Sequence, residues 1–531
     1  MHTIPIIPIV IGLMPLLGWL LLRRWYFQIV DRSHLQVHHK DGRTVPLRNP
    51  KFLLGNLAEV YRAENRLAAY HSFHEQLGEI VQIFWLWRHQ LSIANLPMAR
   101  HILVSNQKNY QKFRPNIILQ KLYGTSVLTN NGIEWQRQRS LMQSLFTPQR
   151  VAQFYDTFVT CTRDLAEKWR SQINTTPGSL HHNIYPDCNA LFLDIIGRSA
   201  LGIDFRALQG DVDDTLADIR FILKQSNHPL HQFTTWWQHL PLPQNRQLAQ
   251  TFHRIDQFLY QLIQQRRVTL QSQPYSPPKN LLDLLLQANH LTETELQPFT
   301  DREIRDNLFA IIVNGYESVA TSITFTLALL ARHPEFLEQI HQEVDQFFQE
   351  HGRISTDLPQ LPTLKAAIVE SLRLYPPMAG LQRVSLQPDI IEGWTIPSHQ
   401  VIGIPLQPLH LNSDDYGDQP DRFKPERYLD SQPATAEEKT RGCPLRTFLN
   451  QPRAQAEQLP LTFGDGARRC LGETFALHEM TIVLAILLHQ FTFTVQAGDE
   501  AVMELGKFGL FISMVPKDAV NLTIALRQPT A

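Results

Sequence analysis

The chain lacks a charge imbalance and has little cysteine. Its 531 residues include 49 Lys and Arg against 50 Asp and Glu, so it shows no electrostatic footprint for nucleic acid. The four cysteines contain no Cys-x-x-Cys pair. This scarcity disfavours a disulfide framework or a structural zinc site, and it favours a reducing compartment. The cysteines are Cys161, Cys188, Cys443 and Cys470.

One segment lacks charge altogether. Residues 3–22 contain no charged side chain, and Arg23 and Arg24 follow directly. A helix of about 20 residues spans roughly 30 Å, the thickness of a bilayer's hydrocarbon core. A cleaved signal peptide is the alternative, but no basic region precedes the apolar run and no small-residue cleavage site precedes Arg23. We therefore predict a single-pass membrane anchor at 1–24, with the rest of the chain facing the cytoplasm because basic residues stay on that side.

The remainder reads as a linker followed by one large domain. A polar stretch leads into a turn-rich segment near residue 50, which places the linker at 25–49 and the domain at 50–531. Residues 81–87 and 90–94 have the pattern of a short strand hairpin. Helical patterns dominate elsewhere, so the sequence predicts a mainly α fold with minor β.

The clearest helix is predicted at 301–333. Thr300 and Glu303 have the spacing of a capping box at its start, and Pro334 closes it. A helix of about 30 residues is some 45 Å long and can cross a whole domain.

The most specific signal is a glycine-rich run around Cys470, in a loop that enters a helix. It reads Phe463-Gly-Asp-Gly466-Ala-Arg468-Arg-Cys470-Leu-Gly472. A sulfur at a helix start lies near unpaired backbone N–H groups, which favour the thiolate, and Arg468 adds a cation. Gly466 and Gly472 allow close approach to a flat object or to a neighbouring helix. An ordinary buried cysteine is the alternative, but so many fixed positions disfavour it.

This run resembles the haem-ligand loop of the cytochrome P-450 superfamily, and the resemblance extends from about residue 46 to the end of the chain. It implies haem b as cofactor, with Cys470 as the axial thiolate and metal ligand on iron. Phe463 would pack beside the sulfur, and Arg468 would pair with a haem propionate. The implied fold is a triangular helical domain with small β-sheets, here preceded by an N-terminal transmembrane helix.

Two further motifs agree with the resemblance. Glu370 and Arg373 share one helix face ahead of a Pro-Pro pair, like the family's ExxR helix, with Arg427 as the third member of a structural ion network. Trp135 and Arg139 lie one helical turn apart. Alone they would more often be a packed aromatic and its neighbour. Taken together with the cysteine loop, they resemble the family's propionate-binding helix. The resemblance implies that Arg383 contributes from the other side.

The long helix carries Asn314-Gly315-Tyr-Glu317-Ser318. Glycine inside a helix costs up to about 1 kcal/mol, and close approach to haem and dioxygen is the reason that the resemblance supplies. Gly315, Glu317 and Ser318 then form the predicted catalytic set, with the acid and the hydroxyl relaying protons toward the iron. Serine stands where the family usually has threonine, and Asn314 replaces a small residue, which predicts a narrower or more polar distal groove. A merely kinked core helix is the alternative.

The resemblance also predicts a mainly apolar substrate pocket. Residues 431–460 form a longer and more polar loop than the family usually has, either a partner-docking or a disordered insertion. Three aromatics could form an entrance lip at the membrane or pack between helices, namely Phe233, Trp236 and Trp237. The candidate pocket residues are Phe113, Ile117, Tyr316, Met378, Leu381, Phe508 and Phe511.

The resemblance implies a monooxygenase that inserts one oxygen atom of O₂ into a hydrophobic small molecule, such as a lipid, fatty acid or terpenoid. No flavin domain follows Cys470, so NAD(P)H-derived electrons are expected from a separate reductase or ferredoxin-type protein. Two alternatives stay open: a haem-thiolate isomerase or dehydratase acting on a peroxide, and a haem-binding sensor or carrier without turnover. Glu317 and Ser318 favour the monooxygenase, because isomerases of this kind often lack the acid–alcohol pair.

Overall fold

The structure is a computed structural model whose described chain divides into two compact units, each assembled from three stretches of sequence. The smaller unit contains 1–113, 380–412 and 464–468, and the larger contains 114–379, 413–463 and 469–531. The described residues are 6–34, 36–62, 66–113, 117–175, 178–210, 214–226, 240–272, 277–291, 297–354, 358, 360–429, 444–449, 459–496, 514–516 and 518–527.

Helices dominate the described chain, which confirms the mainly α prediction. The helices up to residue 200 are α1 (Ile6–His34), α2 (Leu57–Arg62), α3 (Arg66–Leu77), α4 (Leu96–Arg100), α5 (Ile117–Tyr123), α6 (Gly132–Gln143), α7 (Pro148–Ala152), α8 (Tyr155–Asn174) and α9 (Ile184–Ile196). Those that follow are α10 (Asp214–Ser226), α11 (Pro243–Ser272), α12 (Leu281–Leu291), α13 (Asp301–Arg332), α14 (Pro334–His351), α15 (Pro362–Leu374), α16 (Leu406–His410), α17 (Ser413–Tyr416), α18 (Pro444–Leu449) and α19 (Glu473–Gln490).

The strands form three small sheets. In the smaller unit, a sheet of order β1-β2-β8-β5-β3 lies with a β6–β7 pair, and the larger unit contains the order β4-β10-β9. Strands β1 and β2 pair antiparallel, which confirms the predicted hairpin, and β2 pairs parallel with β8. The strands are β1 (Ile80–Trp85), β2 (Arg88–Ile93), β3 (Tyr110–Lys112), β4 (Leu180–Asn183), β5 (Gly380–Ser385), β6 (Asp389–Ile391), β7 (Trp394–Ile396), β8 (Val401–Pro405), β9 (Phe491–Thr494) and β10 (Asn521–Leu526).

Helix α13 is the core of the larger unit. Thr300 Oγ1 accepts from the N–H of Glu303 at 3.2 Å, and the Glu303 carboxylate accepts from the N–H of Thr300 at 2.9 Å, which confirms the capping box. Most of its side chains are buried against α9, α5 and α15. Among the described residues, α13 is the one helix both long and apolar enough to cross a bilayer, and its burial is that of a core helix.

Helix α1 continues past the predicted end of the anchor. It is 29 residues long and runs without a break through Arg24 to His34. Tyr26 and Val30 are buried against Phe84 of β1, and the Tyr26 hydroxyl donates to Leu86 O at 3.0 Å. The second half of α1 is therefore part of the smaller unit. The side chains of residues 1–17, where most of the predicted anchor falls, lie outside the described residues.

The segment expected as a linker is also joined to the smaller unit. His38 forms a β-bridge with Thr44, and Leu47 forms one with Gln82 of β1. Val45 is fully buried. The structure thus differs from the predicted linker at 25–49, because these backbone pairings and this burial belong to a folded segment.

Candidate functional site

The cysteine loop of the larger unit is closed by backbone and side-chain hydrogen bonds. The N–H of Cys470 donates to Phe463 O at 2.8 Å, and Thr462 Oγ1 donates to Leu372 O of α15 at 2.9 Å. These bonds set the loop on the end of α15 just before α19 begins. Phe463 is half-buried, and the Cys470 side chain is exposed. The thiol is therefore accessible to a ligand.

The protein alone does not favour the Cys470 thiolate. Although one side of the thiol is exposed, burial by the surrounding protein raises its pKa, and the charge of Glu473 raises it further. The N–H of Gly472 and the cations Arg139 and Arg469 oppose this rise without cancelling it. The Gly472 N–H thus lowers the Cys470 pKa in the direction predicted for a helix start, but burial of the thiol has the larger effect. A metal ion on the exposed side would supply the missing positive charge.

The backbone conformation at position 466, in the smaller unit, requires glycine. Its φ of 67° is left-handed, and a Cβ there would lie 1.9 Å from Leu103 O. The N–H of Ala467 donates to Gln107 Oε1 at 2.8 Å, so this loop is seated on residues 101–107. The glycines were predicted to allow close approach either to a flat object or to a neighbouring helix. The contact of Gly466 with residues 101–107 is an approach of the second kind. No atom of the described chain lies within 4 Å of a Cβ added to Gly472.

The predicted ion network is present and buried. Glu370 and Arg373 of α15 form two parallel hydrogen bonds of 2.7 Å with both side chains fully buried, and Arg427 Nε lies 3.3 Å from Glu370 Oε1. Arg373 also donates to Pro420 O at 2.6 Å and to Arg422 O at 3.2 Å. Burial opposes the Arg373 charge, but its bond to Glu370 raises the Arg373 pKa above the ordinary value. The network therefore pins the 420–427 segment to α15, as predicted for a structural trio.

The propionate-binding candidates are distributed over both units. Trp135 and Arg139 are half-buried on α6 of the larger unit, while Arg468 and Arg383 belong to the smaller unit. Arg383 of β5 is 6% exposed and donates to the neighbouring Gln382 O at 2.9 Å. Burial lowers its pKa to about 10, and no carboxylate of the described residues pairs with it. A buried cation of this kind fits an anionic group such as a haem propionate.

The middle of α13 is accessible, unlike the rest of this helix. Asn314 is exposed and Glu317 and Ser318 are partly so, whereas the helix is buried on both sides of this strip. Ser318 Oγ donates to Asn314 O at 2.8 Å. Burial raises the pKa of Tyr316 and of the half-buried Tyr185, and the Glu317 charge raises both further. The acid and the alcohol expected to relay protons thus lie side by side on the accessible strip.

Gly315 has a packing partner that the sequence did not indicate. A Cβ at this position would lie 2.8 Å from Ile196 Cδ1 and 3.2 Å from Ile196 Cγ1. Glycine therefore allows α9 to pack closely on α13. This packing is a reason for glycine in addition to the expected approach to haem, which stays a prediction.

Sequence analysis missed a polar clamp on the first half of α13. Asp306 Oδ2 accepts from the N–H of Thr125 at 2.7 Å and from its hydroxyl at 3.1 Å. Asn307 Oδ1 accepts from the N–H of Val127 at 2.9 Å. Both side chains are buried. Their signal was three consecutive polar residues, 305–307, directly before the apolar run 308–313.

The structure describes only part of the predicted pocket. Tyr316 is buried and Met378 half-buried in the larger unit, and Phe113 and Leu381 are half-buried in the smaller unit. In the 431–460 loop, the described residues are α18 and 459–460. The side chain of Ile117 and the remaining candidates lie outside the described residues, namely Phe233, Trp236, Trp237, Phe508 and Phe511.

Comparison with known proteins identifies the family. Residues 45–521 match the family described as Cytochrome P450. The chain belongs to the cytochrome P450 family. It is 26% identical to a cytokinin hydroxylase of Arabidopsis thaliana over 88% of this chain and 89% of the relative. It is 28% identical to a cyclooctat-9-en-7-ol 5-monooxygenase of Streptomyces melanosporofaciens over 82% of this chain and 86% of the relative.

A solved structure supports the fold. The heme domain of cytochrome P450DA superposes with a TM-score of 0.75 at 19% identity, over 91% of this chain and 98% of that chain. The P450 fold and the enzyme class predicted from the sequence are thereby confirmed: the protein is a cytochrome P450 monooxygenase. Membership of the family implies a haem iron with thiolate ligation, and the exposed Cys470 thiol and the uncompensated Arg383 both fit that group.

Proposed function

We propose that this P450 inserts one oxygen atom of O₂ into a mainly apolar small molecule while anchored to a membrane. NAD(P)H-derived electrons reach it through a separate reductase or ferredoxin-type protein. The observation that carries the proposal is the accessible strip of α13, where Glu317 and Ser318 interrupt an otherwise buried helix. A non-catalytic haem carrier has no need of an acid and a hydroxyl at that place.

Six side chains would hold the haem. Cys470 would supply the thiolate that binds the iron, with Phe463 beside its sulfur. Arg139 and Arg383 are the proposed partners of the propionates, together with Trp135 and Arg468. The bound haem supplies the activation of dioxygen, and the side chains hold and orient it.

Glu317 and Ser318 are proposed to hold and move protons along the accessible strip of α13. The Ser318 hydroxyl donates to Asn314 O, so the lone pairs of its oxygen remain able to accept a hydrogen bond. The hydroxyl can accept a proton at this oxygen and release its own hydrogen by rotating away from Asn314 O. Glu317 directly precedes Ser318 on the same strip. It is partly exposed, so it can exchange protons with solvent. The pair therefore supports proton supply without opening the core of the helix.

The proposed substrate class is supported by two partly buried apolar side chains and by the relatives. Ile311 lies on the accessible strip, and the half-buried Met378 follows α15. The relatives are named for a cytokinin and for cyclooctat-9-en-7-ol, both small molecules. A lipid, fatty acid or terpenoid-like compound is the corresponding proposal for this chain.

Membrane attachment is proposed from the N-terminal segment. The exposed large apolar residues of α1 cluster around Arg23, which suits the interface between lipid and water. They are Trp19, Leu20, Leu21, Leu22 and Trp25.

The test uses the Cys470→Ser variant beside Cys161→Ala, which alters a buried cysteine away from the site. Cys470→Ser is expected to lose the thiolate-type carbon monoxide difference spectrum and the reductase-dependent uptake of O₂. Cys161→Ala should keep both whenever it folds. Retention of spectrum and turnover in Cys470→Ser would contradict the proposal. A wild-type protein that converts a peroxide without O₂ or reductase would instead indicate an isomerase or dehydratase.

A further inference from the structure

Asp389, the first residue of β6, accepts three side-chain hydrogen bonds on one carboxylate oxygen. The Tyr110 hydroxyl donates to its Oδ2 at 2.6 Å, His101 Nε2 at 2.9 Å and Asn106 Nδ2 at 3.0 Å. The other oxygen, Oδ1, accepts from the N–H of Ile390 at 2.8 Å. Burial opposes the Asp389 charge, but these hydrogen bonds outweigh burial and lower the Asp389 pKa. A charged carboxylate therefore holds one segment of the chain at three points.

The three donors belong to residues 101–110, a segment of irregular backbone in the smaller unit. Residues 101–105 form one turn of π-helix, after which the N–H of Asn106 donates to His101 O at 2.8 Å. Such turns are rare and occur frequently at functional sites. The Asp389 carboxylate bonds to the side chains at both ends of this turn, so it fixes the turn as a unit.

The middle of the segment is the seat of the loop that contains Arg468. A Cβ at Gly466 would lie 1.9 Å from Leu103 O, and the N–H of Ala467 donates to Gln107 Oε1 at 2.8 Å. Both acceptors lie between residues that the carboxylate holds. A shift of the segment would therefore move the backbone of Arg468 as well.

The end of the segment determines the position of Arg383. Tyr110 begins β3, and the antiparallel pairing of β3 with β5 places Tyr110 opposite Ser385 and Lys112 opposite Arg383. The Arg383 side chain is buried, so its charge requires an anion at a defined place. The backbone from which this guanidinium extends is thus fixed through β3.

We propose that Asp389 is a positioning residue for the two propionate-binding arginines of the smaller unit, Arg383 and Arg468, and that it acts through residues 101–110. The inference rests on the proposed function, in which these arginines are partners of the haem propionates. A segment that is already fixed presents both guanidinium groups in place, and this preorganisation lowers the entropy lost when an anionic group binds.

The rate of haem loss tests the inference without turnover. It is measured as the transfer of haem from the ferric protein to excess apomyoglobin. Asp389→Ala should lose haem about 10-fold faster than wild type, the lower end of what one charge-assisted hydrogen bond is worth. Asp389→Asn keeps one acceptor oxygen and should restore part of the difference.

Asp187 provides a matched control in the larger unit. It also accepts three side-chain hydrogen bonds, from Trp169 Nε1 at 2.7 Å, Lys168 Nζ at 2.8 Å and His182 Nε2 at 2.9 Å. These donors belong to α8 and β4, which contain no proposed haem partner. Asp187→Ala should therefore lower the urea midpoint and leave the rate of haem loss unchanged.

A cycle of variants separates positioning from general stabilisation. In a protein that already carries Arg383→Gln and Arg468→Gln, Asp389→Ala should not increase the rate of haem loss, because no arginine remains to be positioned. Hydrogen exchange of the Ala467 N–H is a second measurement that needs no arginine variant. This exchange should be faster in Asp389→Ala and unchanged in Asp187→Ala.

The inference is overturned if Asp389→Ala loses haem at the wild-type rate, or if its full effect persists in the protein without both arginines. Unchanged hydrogen exchange at Ala467 in Asp389→Ala would also overturn it. Failure of the proposed function has a different signature. In that case reductase-dependent O₂ uptake would be missing from the wild-type protein, while the dependence of haem loss on Asp389 would remain.

Discussion

Replacing Glu370 by alanine tests how much the buried ion network stabilises the larger unit. Glu370 accepts two bonds from Arg373, one from Arg427 Nε and one from the N–H of Lys424 at 3.0 Å. Its removal leaves the fully buried Arg373 guanidinium without a countercharge. Breaking a buried pair in this way costs about 3–5 kcal/mol, a factor of roughly 100 to 4,000 in the folding equilibrium.

The chain contains a matched control with the same spacing. Glu167 and Arg170 of α8 also form an i,i+3 pair, with Nη1 of Arg170 3.0 Å from the carboxylate, but their side chains are 65% and 42% exposed. Glu167→Ala should therefore change the free energy of unfolding by less than about 1 kcal/mol. The two variants differ in burial and not in sequence pattern.

The assay is urea unfolding at equilibrium, followed by fluorescence, with haem content per protein measured in parallel. Glu370→Ala should lower the midpoint strongly and yield little haem-loaded protein. The double variant Glu370→Leu with Arg373→Met should recover part of the loss, because no charge is then left buried. Equal midpoints for Glu370→Ala and Glu167→Ala would refute the reasoning.

Three further predictions follow from the geometry. Ser318→Ala should bind haem normally but divert NAD(P)H electrons to hydrogen peroxide, while Ser318→Thr should keep product formation coupled; unchanged coupling in Ser318→Ala would show that another group carries the proton. Deleting 1–24 should release the protein from membranes at an unchanged urea midpoint, whereas deleting 1–34 should cost about 3–5 kcal/mol by removing Tyr26 and Val30; equal midpoints for both deletions would contradict this. The free energy of unfolding should fall as the pH drops from about 6.5 to 4. Burial lowers the pKa of three imidazoles to about 4 in the folded protein, so the unfolded chain binds more protons in this range. Urea midpoints across this range measure the effect, and a flat profile would contradict the burial of His74, His341 and His478.

Local signals were sufficient for the parts of the site that lie close together in sequence. The capping box at Thr300 and Glu303 and the ion pair of Glu370 and Arg373 each join residues three positions apart, so helix geometry predicts them directly. The hairpin of β1 and β2 is equally local.

The rest depends on contacts between distant segments. Gly315 is explained by Ile196, more than a hundred residues away in sequence, and no local pattern indicates that neighbour. The pKa of Cys470 depends on how deeply the surrounding protein buries the thiol. The position of a cysteine at the start of a helix does not indicate that burial. The extent of α1 likewise follows from the burial of Tyr26 and Val30 against β1 rather than from the charges of Arg23 and Arg24.

The division of the smaller unit over three stretches has a consequence for synthesis on the ribosome. Strand β2 pairs in parallel with β8 through Gln90 and Val401, so the nascent chain must grow by about 300 residues between the two. At about 5–20 residues per second, the edge of β2 waits roughly 15–60 s for its partner. An open strand edge is a template for pairing with other chains. Polysome density and chaperone occupancy should therefore both matter for the yield of this protein, more than for one whose sheets close within a single stretch of sequence.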